Sequence, residues 1–173
     1  MLRLMLLRHA KAEADSAEGD HSRRLSPRGM QDVTHLGDYL AGESLLPDLI
    51  LASSATRTAM TMTGLLAIWP EHVAVRLIST LYNAGASALL DEIHRQRGDA
   101  RTLMLVGHNP GIAELALGLT GSGDRYALAR LRQKFPPCAL AVLDFASDSW
   151  GEVAPGEGRL ERYLTPGPLE AAP

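Results

Sequence analysis

The chain has only one cysteine, Cys138, so no internal disulfide can form and the fold does not depend on an oxidising compartment. Cys138 lies in Pro-Pro-Cys-Ala-Leu ahead of an apolar run, the setting of a buried structural thiol rather than a catalytic one. Long hydrophobic runs are also missing. The apolar N-terminal stretch is too short to span a bilayer and is interrupted by Arg3 and Arg8, so no membrane association is expected. There is no excess of positive charge: the net charge of −3 does not suggest a nucleic-acid partner. No targeting segment, internal repeat, coiled-coil heptad or domain boundary is evident. These absences lead to the expectation of one cytoplasmic domain over residues 1–164, followed by a flexible tail over 165–173 that is rich in Pro and Ala.

Hydrophobic residues make up 46% of the 173, enough to build a substantial core. Apolar runs with strand character alternate with helical patterns, which predicts a three-layer α/β/α sandwich around a mostly parallel sheet. Strands are expected over 2–7, 48–52, 74–78, 102–106, 139–145 and 159–163. Helices are expected over 26–41, 55–68, 85–97 and 110–120, and a further helix over 125–133 is compatible with the pattern. Ser26-Pro27 supplies an N-cap and a first-position proline for the first helix. Met60, Met62, Leu65 and Leu66 fall at helical spacing and read as core.

Three strand ends carry the chemistry. The first apolar run ends in Leu6-Leu7-Arg8-His9-Ala10. A second begins at Asp48 and ends in Ser53-Ser54-Ala55-Thr56-Arg57, where Ser54 can cap a helix whose first turn holds Arg57. A third runs into Gly107-His108-Asn109-Pro110-Gly111, with Asn109-Pro110 read as an N-cap and first helical residue. In an open α/β sheet, ligands bind at the C-terminal ends of strands. Arg8, His9, Arg57 and His108 are therefore expected at one sheet edge, beside two helix N-termini that favour negative charge. The shared demand of these parts is a phosphate-like anion.

On these residues the chain resembles the histidine phosphatase superfamily, also called phosphoglycerate-mutase-like, and within it the small SixA-type phosphohistidine phosphatases. The matching stretches are Leu-Leu-Arg8-His9-Ala-Lys, Asp20-His-Ser-Arg23-Arg-Leu-Ser-Pro-Arg-Gly29, Ser53-Ser-Ala-Thr-Arg57-Thr, Leu81-Tyr-Asn-Ala-Gly, Val106-Gly-His108-Asn-Pro-Gly and Lys134-Phe-Pro-Pro-Cys-Ala-Leu. Ser22 and Arg24 depart from the commoner pattern, in which an acid and a proline stand there.

The resemblance implies a nucleophile at His9 that forms a covalent phosphohistidine and is regenerated by water. It implies a phosphate clamp of Arg8 and Arg57, with His108 as a hydrogen-bond donor whose charged form would help hold His9 neutral. Guanidinium suits this task because its fork binds two oxygens and stays charged. Arg23 would add a third cation for substrate binding, and Asp20 would carry a proton or orient Arg23. No cofactor and no metal are expected, because arginines and a histidine nucleophile already supply what a metal would.

Mutase-type members carry a glutamate shortly after the third strand, and a long helical cap. Here that position reads Leu81-Tyr82-Asn83-Ala84, and only one helix fits between Tyr82 and Thr102. An open site poor in strong acids, without a large cap, suits a phosphohistidine-bearing phosphotransfer or phosphocarrier protein in signal transduction, because a protonated phosphoimidazole leaves as neutral imidazole. A phosphatase of small phosphate monoesters is the alternative, and a non-catalytic phosphoprotein-binding module a more distant one. The other histidines, His21, His35, His72 and His94, sit in polar or helical contexts and are expected at the surface; the loop carrying His21 lies close to the expected site.

Overall fold

Leu2–Arg8 (β1) lies in the middle of a seven-stranded sheet because both of its faces are apolar. Leu4 and Leu6 enter the core on one side, Met5 and Leu7 the core on the other. The remaining strands are Leu49–Ser53 (β2), Ala74–Ile78 (β3), Thr102–Gly107 (β4), Thr120–Gly123 (β5), Leu140–Phe145 (β6) and Gly158–Leu164 (β7). In this computed structural model, which describes residues 1–167, they are ordered β3-β2-β4-β1-β6-β7-β5. β1, β2, β3 and β4 pair in parallel; β6 runs antiparallel to both β1 and β7, and β5 is parallel to β7. The expected tail beyond Gly167 lies outside the described residues.

Among the described residues, five α-helices cover the sheet: Pro27–Gly42 (α1), Thr56–Leu66 (α2), Ala86–His94 (α3), Gly111–Leu119 (α4) and Arg125–Gln133 (α5). Val33, Leu36 and Leu40 of α1 and Met62 and Leu65 of α2 pack on Met5, Leu7, Ile50 and Met104. Leu89, Ile93, Ile112, Leu115 and Leu131 of α3, α4 and α5 pack on the opposite side, over Leu4, Leu6, Leu51 and Leu105. This is the expected three-layer α/β/α sandwich. Arg3 and Asp144, directly paired across β1 and β6, form a two-point ion pair at 2.7 and 2.8 Å that fixes the antiparallel register of β6 on β1.

Differences from the sequence reading have local causes. β5 has the composition of a turn, Thr-Gly-Ser-Gly, yet pairs with β7. Gly121 makes this fit, since a Cβ there would run into the Gly156 carbonyl oxygen. Ser26 caps α1 as expected, its Oγ accepting from Gly29 N at 3.1 Å. Ser54 does not cap α2: Ala55 holds that position and the preceding Ser53 accepts from Ala55 N at 3.2 Å. Pro110, not Asn109, is the residue before α4; the Asn109 side chain instead donates to Phe135 O at 2.8 Å. His94 is part-buried rather than solvated, its Nε2 2.7 Å from Val153 O.

Candidate active site

β1, β2 and β4 end at one edge of the sheet, and register explains why. Arg8 pairs with Gly107, so His9 and His108 leave adjacent parallel strands side by side. Their ring centroids are 5.3 Å apart. β2 adds Ser53 at the same level, and Arg57 follows in the first turn of α2, only 3% exposed. The helical turn Asp20–Ser22 brings Asp20 over this edge, and the turn Ser79–Leu81 after β3 delivers Tyr82. Arg8, His9, Arg57, His108, Asp20 and Arg23 thus meet in one place.

His9 Nδ1 lies 2.7 Å from Ala10 O, which can only accept, so Nδ1 carries the proton. The lone pair is left on Nε2, the form of imidazole that attacks phosphorus. Burial, reinforced by the charges of Arg57, Arg8 and Arg23, pushes the His9 pKa down to about 4. The ring is therefore neutral at pH 7.

His108 Nε2 sits 2.8 Å from Ser53 Oγ, while its Nδ1 is buried without a partner in the protein. Burial, with Arg57 and Arg8 nearby, pushes the His108 pKa down to about 3, so the ring is neutral at pH 7 and the charged form that would help hold His9 neutral is not populated. With Ser53 donating to Nε2, the Nδ1–H is free to donate. Arg8 Nε and Arg57 Nε are also buried and unpartnered. Buried polar atoms are normally paired. Among the described residues, the buried unpartnered side-chain atoms are these three donors and Asn109 Oδ1, all at this one edge. Such a concentration of unmet donors fits an anion.

Arg8 is steered from behind by Phe135 O, which accepts from its Nη1 at 3.1 Å. Arg57 donates to the Asp20 carbonyl at 2.8 Å and to the Asp20 carboxylate at 3.2 Å. That carboxylate also accepts from Arg23 Nε at 3.0 Å and from the Tyr82 hydroxyl. The Tyr82 hydrogen bond, with Arg57 and Arg23 beside it, holds the Asp20 pKa down at about 2. Arg23 donates onward to Glu13 O at 2.8 Å, so it braces the loop as well as Asp20.

Sequence reasoning missed Ser53 and Tyr82 as parts of the site. Ser53 is a small residue at a strand end and gave no signal apart from its neighbour Ser54. Tyr82 stood out only as the absence of an acid. Cys138 is buried as expected, and burial pushes its thiol up to about 12, far from a reactive thiolate. His21, His35 and His72 are exposed, and His21 lies beside Tyr82. No group of three or more His, Cys, Asp or Glu side chains among the described residues could hold a metal ion. No described helix is long and apolar enough to cross a membrane.

No protein-family model matches the chain. A protein of Mycobacterium tuberculosis of uncharacterised activity is 36% identical over 164 residues, covering 92% of this chain and 99% of its own. Among solved structures, a candidate phosphohistidine phosphatase SixA of Nakamurella multipartitia superposes with a TM-score of 0.83 at 30% identity, covering 95% of this chain and 96% of the other. A second, from Agrobacterium tumefaciens, gives 0.79 at 32% identity, with 95% and 99% covered. The protein histidine phosphatase SixA complexed with tungstate shares the fold, with a TM-score of 0.75 at 16% identity.

Proposed function

Because this chain belongs to the SixA-type branch of the histidine phosphatase superfamily, we propose that it is a phosphatase that removes the phosphoryl group from phosphohistidine on a protein through a covalent phospho-His9. His9 Nε2 attacks phosphorus as the bond to the substrate's imidazole nitrogen breaks. Arg8, Arg57 and His108 Nδ1–H stabilise the charge spread over the three phosphoryl oxygens. Because Ala10 O keeps a proton on Nδ1, phosphorylated His9 is an imidazolium. When water attacks it, His9 departs as the same neutral tautomer that began the cycle, and inorganic phosphate is released with the water's proton carried by Asp20 or the phosphate itself. Arg23 holds Asp20 for that task and adds positive charge for substrate.

The observation that carries the substrate class is the state of Asp20. Three donors hold it as a carboxylate, which makes it a poor proton donor to an alkoxide. A protonated phosphoimidazole needs no such donor. The substrate is accordingly a phosphotransfer or phosphocarrier protein in the cytoplasm, met by a single domain over 1–164, with no cofactor or metal required. The test is phosphate release from a panel of phosphohistidine carrier proteins and small phosphoesters, with chelator present. Preference for the carriers supports the reading. Efficient, saturable turnover of one small monoester would replace it with the small-molecule alternative.

A further inference from the structure

Four aromatic rings run in file from the buried nucleophile to the surface. His9 and His108 have centroids 5.3 Å apart, His108 and Tyr82 5.5 Å apart at 81°, and Tyr82 and His21 4.8 Å apart at 77°. The proposed reaction uses the inner two. His21 is exposed and Tyr82 half-buried, so the file opens to solvent. Tyr82 is fixed on several sides: its hydroxyl donates to Asp20, its ring packs at a steep angle on that of His108, and the Arg57 guanidinium carbon lies 5.8 Å from its ring centre. His21 Nε2 is 3.1 Å from Ser54 Oγ, the residue after Ser53. Tyr82 therefore stands beside Arg57 and His108, the two groups that would hold phosphoryl oxygens, with His21 beyond it.

We propose that Tyr82 and His21 form a leaving-group subsite that recognises a flat ring bonded to phosphorus, the imidazole of phosphohistidine; this rests on the substrate class proposed above. In-line transfer places the leaving atom opposite the attacking one. With His9 at the bottom of the site, the departing group points outward, to where these rings lie. Aromatic pairs in offset or edge-to-face contact gain beyond simple burial, and an alkyl group has no such face to offer. The Asp20 carboxylate on the Tyr82 hydroxyl puts negative charge at the same rim, which favours a protonated imidazole, the form that departs neutral.

The experiment compares kcat/KM for wild type, Tyr82→Leu, Tyr82→Phe and His21→Ala on N-phosphorylated imidazole, phenyl phosphate and glycerol phosphate. Tyr82→Leu is expected to lower the ratio of ring to alkyl substrate about three- to tenfold, and His21→Ala to lower it in the same direction. Tyr82→Phe keeps the ring and retains the phenyl-to-glycerol ratio. An unchanged ratio in Tyr82→Leu and His21→Ala overturns the subsite. Should Tyr82→Leu fail to fold, His21→Ala, at an exposed position, decides alone. A wild-type enzyme without preference for phosphoimidazole over glycerol phosphate would remove the phosphohistidine reading, and the phenyl-to-glycerol ratio would still decide the subsite.

Discussion

His108 Nε2 and Ser53 Oγ are 2.8 Å apart, and this contact sets which nitrogen of His108 is left to donate. Ser53 is fully buried and already accepts from Ala55 N, so its hydroxyl proton is available to His108. Ser53→Ala is therefore expected to lower kcat by roughly tenfold, less than the ~10²-fold or greater loss expected for His108→Ala, which removes a transition-state donor outright. Steady-state kinetics on both variants check this. A Ser53→Ala enzyme with wild-type kcat would show that the tautomer is set elsewhere.

Asp20 ion-pairs with Arg57 Nη2 at 3.2 Å, so its carboxylate and a phosphate would compete for the same guanidinium. Asp20→Ala is expected to tighten inhibition by inorganic phosphate. It should reduce turnover of a phosphohistidine substrate and of an alkyl phosphate by similar factors, because the ionised Asp20 has no proton to give an alkoxide. Inhibition constants and kcat/KM on both substrate types measure the two effects. A much larger loss on the alkyl phosphate would show that Asp20 donates a proton to the leaving group, which would leave His9 as nucleophile and remove the argument for phosphohistidine.

The pH dependence follows from burial of the two histidines. His9 and His108 titrate near 4 and 3 in the fold, below the ordinary 6.5, so each resists protonation more when folded. Their contribution to stability is complete above about 6.5 and is lost as pH falls through those folded values. The same depression keeps the nucleophile neutral: kcat/KM on a stable phosphate ester is expected to stay level from pH 7 to about 5 and fall only nearer 4. An acid limb centred at about 6.5 would mean that His9 is solvated as an ordinary imidazole.

Gly111 ties the site to the fold. A Cβ there would run into the Ala84 carbonyl oxygen, so glycine lets the start of α4 close against the segment carrying Tyr82. Gly111→Ala is expected to cost about 1–3 kcal/mol of stability through overpacking. Displacement of Tyr82 should weaken its hold on Asp20 and lower activity as well. Denaturant unfolding and kcat/KM together test this; a variant as stable as wild type would show that the loop yields freely.

The sequence made the strand ends readable because parallel strands buried on both faces are continuous apolar runs, and a polar pair such as Arg8-His9 marks where the run meets the edge. Ser26-Pro27 was readable for a similar reason, a cap being a local arrangement. What escaped depends on partners far along the chain. β5 exists through its ladder to β7, with no strand propensity of its own. Asn109 turns to the Phe135 carbonyl instead of capping, and burial against His9 and Arg57 keeps His108 neutral. Tyr82 gains its place from Asp20, 62 positions away.

The central claim is that phosphorus passes through His9. Wild-type protein mixed with a labelled phosphohistidine carrier, with chelator present, then quenched in base within milliseconds and analysed by mass spectrometry, is predicted to carry one phosphoryl group on His9 and none in His9→Ala, which should also be inactive. Label on another residue, turnover without any phosphoenzyme, or full activity in His9→Ala would contradict the account.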